Sequence, residues 1–115
     1  MLSAGARQIS RFSGILLACA VMAGPAVAAP AGPRTHTVAI EGMHFIPETL
    51  TVHRGDRVVW VNNDPFPHTA TGQAGGFDSH SIAPNASWRY VTGKPGTFLY
   101  MCTFHPTMTG KLVVE

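Results

Sequence analysis

Short runs of apolar and β-branched residues, broken by turns rich in glycine and proline, fill the chain from about residue 37 to its end. Within these runs inward and outward positions alternate, which is typical of β-strands. In residues 57–62, for example, Val58 and Trp60 fall on one face, and in residues 97–102 Tyr100 and Cys102 share another. The pattern predicts strands at residues 37–40, 49–52, 57–62, 87–92, 97–102 and 111–115.

The spacing of the breaks indicates the fold class. Beyond the N-terminal region, no segment keeps a helical period over ten or more residues. Turn residues separate the predicted strands at 53–56, 73–76, 83–85 and 93–96. Short strands joined by frequent turns favour an all-β domain, and we expect an antiparallel β-sandwich with Greek-key connections.

The first 28 residues have a different character. Arg7 and Arg11 precede a short apolar run that Gly24 and Pro25 interrupt, which disfavours a permanent membrane helix. A basic start, a short apolar stretch and small residues ending at Ala28 are the features of a secretory signal peptide. We therefore predict cleavage after Ala28 and export to the periplasm, with no membrane span in the mature chain.

Cleavage there divides the chain into a signal peptide at residues 1–28, a flexible lead-in at 29–36 and a single domain at 37–115. Lipoprotein processing is an alternative, because residues 16–19 loosely resemble a lipoprotein box and would leave a lipidated Cys19. The apolar stretch continues beyond Cys19, which favours the cleaved signal peptide.

Removal of the leader changes the charge and the cysteine content. The whole chain has 8 Lys+Arg and 6 Asp+Glu, and two of the basic residues lie in the leader, so the mature protein is formally neutral. Its basic residues do not cluster, and no nucleic-acid partner is expected. One cysteine remains, Cys102, which cannot form an internal disulfide. An exported lone thiol is vulnerable to oxidation unless something occupies it, and a metal is the obvious occupant.

Cys102, His105 and Met108 are separated by two residues each, in a segment that we expect to be a loop between two strands. A further histidine, His68, follows the strand predicted at residues 57–62. A thiolate, two imidazoles and a thioether form the ligand set of a blue-copper site, with trigonal His₂Cys coordination and a weak axial methionine. Thiolate and thioether suit Cu(I), and imidazole suits both oxidation states. The motif therefore predicts one copper ion that transfers electrons.

With these residues in place, the chain resembles the cupredoxins, among them plastocyanin and amicyanin. The resemblance covers the domain from about residue 37 to residue 115. It is carried by residues 55–60, the Asn-Asn and Phe-Pro-His groups within 62–68, and residues 77–79, 95–98, 100–102, 105–106, 108 and 110–114. It implies a Greek-key sandwich or barrel of about eight strands. It also implies that His68, Cys102, His105 and Met108 hold one type 1 (blue) copper ion.

The same resemblance implies electron transfer as the activity. We expect a monomer that is not an enzyme. Apolar residues would surround the solvent-facing edge of His105 in this family: Phe66, Pro67, Phe104 and Pro106. An apolar patch around an exposed ligand suits transient docking of a redox donor and acceptor.

Two residues depart from the pattern of amicyanin and plastocyanin. Thr69 stands where they place an asparagine whose side chain ties the upstream loop to the residue after the cysteine, here Thr103. A threonine is shorter, and we expect it to brace the site less. Phe104 stands where they place a proline, so its N–H is free to donate a second hydrogen bond to the Cys102 sulfur and raise the reduction potential.

Copper storage or delivery without a redox partner is the main alternative, although one closed set of four ligands favours electron transfer. Among enzymes, a multicopper oxidase is disfavoured because Met101 and Thr103, and not histidines, flank Cys102. A binuclear copper centre needs a second cysteine. A Cys-His hydrolase would need oxyanion donors and a substrate cleft, and neither is evident.

The remaining chemistry-bearing residues have ordinary interpretations. The histidines without ligand spacing are predicted to be exposed polar residues: His36, His44, His53 and His80. Packing residues of the domain are predicted to include Met43, Met101, Trp60, Trp88, Phe98 and Tyr100.

Overall fold

The computed structural model of the protein describes residues 2–6, 8–25 and 32–115. The predicted cleavage site after Ala28 lies outside the described residues. Residues 2–6 and 8–25 contain no helix or strand. Across all described residues, no helix is long and apolar enough to cross a membrane.

Eight strands build the domain. They are β1 (Thr35–Glu41), β2 (His44–Ile46), β3 (Thr49–Val52), β4 (Arg57–Asn62), β5 (Thr71–Gly72), β6 (Ser87–Val91), β7 (Gly96–Cys102) and β8 (His105–Val114). The sequence pattern did not predict the short strands β2 and β5. It also placed the start of β8 at residue 111, whereas the strand begins at His105.

The strands form two four-stranded sheets, in the orders β2-β1-β4-β6 and β3-β8-β7-β5. The predicted all-β sandwich of eight strands is confirmed. The expectation of purely antiparallel pairing is wrong, because β1 runs parallel to β4 and β3 runs parallel to β8. Side chains alternate with the same period in parallel and antiparallel strands, so the sequence pattern could not distinguish the two.

Inward residues of the two sheets meet in one apolar core. In β4, Val58, Trp60 and Asn62 are buried while the residues between them are half-buried. In β7, Tyr100 and Cys102 are buried and Leu99 is exposed. This alternation confirms the predicted faces, and it directs Cys102 inward at the end of its strand.

Trp60 lies in an aromatic cluster within this core. Its ring centroid is 5.5 Å from those of Phe77, Trp88 and Tyr100, and the Tyr100 ring stands at 86° to it. Edge-to-face pairs of this kind contribute about 0.5–1.5 kcal/mol beyond their buried area. Burial raises the pKa of Tyr100 to about 12, so its phenol is neutral at any physiological pH.

Gly110 makes room for this cluster. It pairs with Tyr100 across β7 and β8, and a Cβ atom at position 110 would collide with the phenol ring. The missing side chain lets Tyr100 lie against the backbone of β8, the strand that carries His105 and Met108.

Candidate metal centre

Cys102 ends β7 and is fully buried, with 0% exposure. Thr103 and Phe104 form a tight turn, and Cys102 pairs with His105 on its far side. The register shifts between Met101 and Cys102, an irregularity that re-aims side chains at strand ends. The segment expected to be a loop is thus only a two-residue turn, and His105 and Met108 lie on β8 itself.

His68 lies between β4 and β5, where it forms an isolated β-bridge with Ile82. The His68 N–H donates to the Ile82 carbonyl at 3.2 Å, and the Ile82 N–H donates to the His68 carbonyl at 2.7 Å. The imidazole is fully buried, and its Nδ1 stands 3.7 Å from the Cys102 Sγ. Two segments far apart in the sequence therefore bring their donor atoms together.

The separation of 3.7 Å between His68 Nδ1 and Cys102 Sγ suits two ligands of one metal ion. A metal–thiolate bond of about 2.3 Å and a metal–imidazole bond of about 2.0 Å, meeting at about 120°, place sulfur and nitrogen about 3.7 Å apart. The two donors therefore fit a trigonal thiolate–imidazole site.

Asp64 holds the opposite side of the His68 ring. Its Oδ2 lies 2.8 Å from His68 Nε2, and the same carboxylate accepts hydrogen bonds from the Gly42 N–H at 2.7 Å and the Met43 N–H at 3.0 Å. When Nε2–H donates to Asp64, the neutral imidazole directs its Nδ1 lone pair towards Cys102. This is the tautomer that a metal ligand requires.

The Asp64 carboxyl is ionised at neutral pH, because its pKa lies below the ordinary value of 3.8. Burial has the largest single influence and raises the pKa. The N–H groups of Met43 and Gly42 and the imidazole of His68 together lower the pKa by more than burial raises it. Asp64 was not among the residues predicted from the sequence. The available signal was its place four residues before His68, behind two asparagines.

Asn62 fixes the segment between the end of β4 and His68. Its Oδ1 accepts the Asp64 N–H at 2.9 Å, and its side-chain amide donates to the carbonyls of Phe66 and Ile82 at 2.8 and 3.0 Å. Asn62 itself is fully buried. The loop that carries His68 is therefore held by side chain–backbone bonds and does not depend on a bound ion.

His105 and Met108 complete the predicted ligand set. The half-buried His105 ring has its centroid 5.5 Å from that of His68, and Met108, 5% exposed, belongs to the same buried apolar cluster as Cys102. Across residues 2–6, 8–25 and 32–115, however, no three His, Cys, Asp or Glu side chains already stand in ligating geometry. His105 has room to adjust because, unlike His68 and Cys102, it is partly exposed.

Thr69 bonds both the side chain and the backbone next to Cys102. Its N–H donates to the Cys102 Sγ at 3.3 Å, and its Oγ1 accepts the Thr103 N–H at 2.8 Å. The short hydroxyl therefore still reaches the backbone of the turn after Cys102, which is the contact expected of the longer asparagine side chain. The second donor expected from Phe104 is not seen among the described residues, so Thr69 supplies the N–H on the sulfur.

Four apolar residues next to His68 and His105 in the sequence are exposed in the structure. Phe66 and Phe104 are 47% and 51% exposed, and Pro67 and Pro106 are exposed as well. The Phe66 ring centroid lies 5.9 Å from that of the buried His68. We refer to these four residues below as the apolar rim.

Residues 13–114 match the sequence profile described as a cupredoxin-like domain. The chain belongs to the cupredoxin family. Amicyanin-alpha of Methylorubrum extorquens is 35% identical over 92 residues, which cover 76% of this chain and 76% of that protein. A plastocyanin of Synechococcus sp. is 29% identical over 123 residues, which cover 88% of this chain and 90% of that protein.

Solved structures agree with this assignment. The Cu(I) form of a methionine-to-alanine mutant of amicyanin superposes with a TM-score of 0.64 at 30% identity, covering 76% of this chain and 87% of that one. A copper-containing nitrite reductase from Thermus scotoductus superposes with a TM-score of 0.65 at 28% identity, but the match covers only 23% of the reductase chain. The likeness to that enzyme is therefore confined to about a quarter of it.

The other histidines of this cupredoxin make no comparable arrangement among the described residues. His44, His53 and His80 are exposed, as predicted. His36 differs, because it is half-buried and its Nε2 lies 2.9 Å from the Asp56 Oδ2. That pair connects β1 to the turn before β4. It is separate from the hydrogen bonds of Cys102.

Proposed function

We propose that this cupredoxin carries single electrons between redox partners, using one type 1 copper ion held by His68, Cys102, His105 and Met108. The observation that carries the proposal is the 3.7 Å separation of His68 Nδ1 and Cys102 Sγ in a fully buried setting. Membership of the cupredoxin family, with amicyanin and plastocyanin among the relatives, supports the same role.

Copper, when bound, supplies a one-electron couple at this site. The protein must then keep the ligands almost still while the charge of the site changes. Asp64 fixes the His68 ring, and Thr69 ties Cys102 to the segment that carries His68. Complete burial of His68 and Cys102 excludes water from their donor atoms.

The half-buried edge of His105 is the proposed port for electrons. His105 is the ligand histidine that solvent reaches. Phe104 and Pro106 of the apolar rim flank it in the sequence, and Phe66 and Pro67 precede His68. An uncharged patch releases its water readily and makes few lasting contacts, which suits a brief encounter with a donor or an acceptor.

Titration of the purified mature protein with copper, followed by visible and electron-spin spectra, tests this function. We expect one copper per chain, the intense visible absorption of a copper–thiolate bond, and fast electron self-exchange between oxidised and reduced protein. A colourless product that binds Cu(I) and releases it readily to a chelator would instead support copper storage or delivery.

We also propose that the carrier acts in the periplasm, after removal of residues 1–28. The support is the order of basic, apolar and small residues in the leader, together with a single thiol in the remaining chain. The mass of the exported protein is expected to correspond to a chain that begins at residue 29. An acylated chain beginning at Cys19 would show that it is a lipoprotein.

A further inference from the structure

A group of hydroxyls extends from the ligand turn to the start of β5. Thr69 Oγ1 lies 3.1 Å from Thr103 Oγ1 and accepts a hydrogen bond from Thr71 Oγ1 at 3.0 Å. The same Thr71 proton is shared with Asp78 Oδ1, 3.1 Å from Thr71 Oγ1. The same carboxylate oxygen accepts the His80 N–H at 2.8 Å. Thr71 is thus held between Thr69 and a carboxylate.

The number of lone pairs and protons on Thr69 Oγ1 limits the hydrogen bonds that it can make. A hydroxyl oxygen has two lone pairs and one proton. The Thr103 N–H occupies one lone pair, and the Thr71 hydroxyl, which it shares with Asp78, occupies the other. The Thr69 Oγ1 atom also lies 3.1 Å from Thr103 Oγ1, where either hydroxyl can be the donor.

This arrangement fixes Cys102 from both ends. The Thr69 N–H bonds the sulfur, and the Thr69 hydroxyl bonds the N–H of the residue that follows Cys102. Thr71 pairs with Met101, the residue that precedes Cys102, where β5 meets β7. Because Thr69 directly follows His68, its bonds also connect the segment that carries His68 to Cys102.

We propose that Thr71 is a positioning residue of the metal centre, which acts on Cys102 through the hydroxyl of Thr69. Together these two threonines connect the turn after Cys102 to the start of β5. The proposal rests on the proposed copper function for its purpose, but the hydrogen bonds themselves are a property of the polypeptide. The Thr71 side chain hydrogen-bonds Thr69 and Asp78 and none of the four predicted ligands, so a change there tests positioning.

Amide hydrogen exchange of Thr103, measured by NMR in the metal-free protein, tests the bonds without copper. In Thr69→Val, which keeps the backbone donor and loses the hydroxyl, the Thr103 amide is expected to exchange about tenfold faster. In Thr71→Val we expect it to exchange about threefold faster, because Thr69 then loses one of its partners. Thr69→Ser retains the hydroxyl and is expected to exchange at the parental rate.

Thr51→Val is the matched control, since Thr51 is exposed on β3 and takes no part in these bonds. The copper-loaded Thr69→Val and Thr71→Val proteins are then expected to show a shifted visible band and electron self-exchange slowed by about tenfold. Parental exchange of the Thr103 amide in Thr71→Val overturns the role of Thr71, even when Thr69→Val behaves as expected. Because amide exchange is measured in the metal-free protein, its result tests the role of Thr71 independently of the proposed copper function.

Discussion

Replacement of Cys102 by serine is expected to abolish the visible absorption and the reversible one-electron couple of the copper-loaded protein. The thiolate is the soft, charged donor of the predicted set, and a serine hydroxyl stays protonated at neutral pH and binds Cu(I) poorly. Serine is close in size to cysteine and its oxygen remains within reach of the Thr69 N–H, so the domain is expected to stay folded. Visible spectra, electron-spin spectra and voltammetry of both proteins measure the change.

Cys19→Ser, compared with Cys102→Ser in the uncleaved chain that still carries its leader, provides the control, because Cys19 is the other free cysteine of the described residues and is exposed. It is expected to leave the spectrum and the couple unchanged. A Cys102→Ser protein with the parental band would place the copper elsewhere in the chain and contradict the site. Thermal melting of the metal-free variants separates a loss of ligand from a loss of fold.

The fold was predictable from the sequence to the extent that side-chain alternation decides it. Strands β3 and β4 have the predicted bounds, because each is a run of alternating residues between clear turn signals. β2 and β5 were missed since three and two residues are too short to show a period. The parallel pairing of β1 with β4 follows from where the chain crosses between sheets, and no local pattern records that.

The candidate ligands were predictable because cysteine, histidine and methionine at a fixed spacing are chemically unusual. The residues that orient them were not. Asp64 resembles any loop aspartate until the structure shows that it faces His68, and Thr71 resembles any strand threonine until its hydroxyl is placed against Thr69. Thr69 was noticed only as a departure from relatives. Comparison of sequences cannot show that a shorter side chain still reaches its partner.

The Asp64 carboxylate links the metal centre to the turn between β1 and β2. Gly42 and Met43 form that turn with φ angles of 58° and 64°, the left-handed values of a two-residue hairpin turn. For a residue with a side chain, such as Met43, this conformation costs about 1–2 kcal/mol. The N–H groups of Gly42 and Met43 donate to the carboxylate that also hydrogen-bonds the His68 Nε2. The turn and the His68 ring are therefore stabilised by one group.

Asp64→Asn is accordingly expected to weaken copper binding by about 10- to 100-fold, the usual effect of losing a partner that orients a ligand. The amide keeps one acceptor oxygen for three donors, and its NH₂ group must face at least one N–H. Either His68 loses its tautomer control or the strained turn loses a bond, so a lower melting temperature of the metal-free protein is expected as well. Competitive copper titration and thermal melting measure the two effects.

Glu41→Gln is the matched control, because Glu41 is an exposed carboxylate at the end of β1 and the substitution removes the same charge. It is expected to leave copper affinity and melting temperature unchanged. Equal losses in both variants would attribute the effect to net charge, and a parental affinity in Asp64→Asn would show that His68 needs no carboxylate. A selective loss in Asp64→Asn would instead show that the ligand geometry depends on a hairpin on the other side of the loop, and hence that the site is set by the fold before any ion binds.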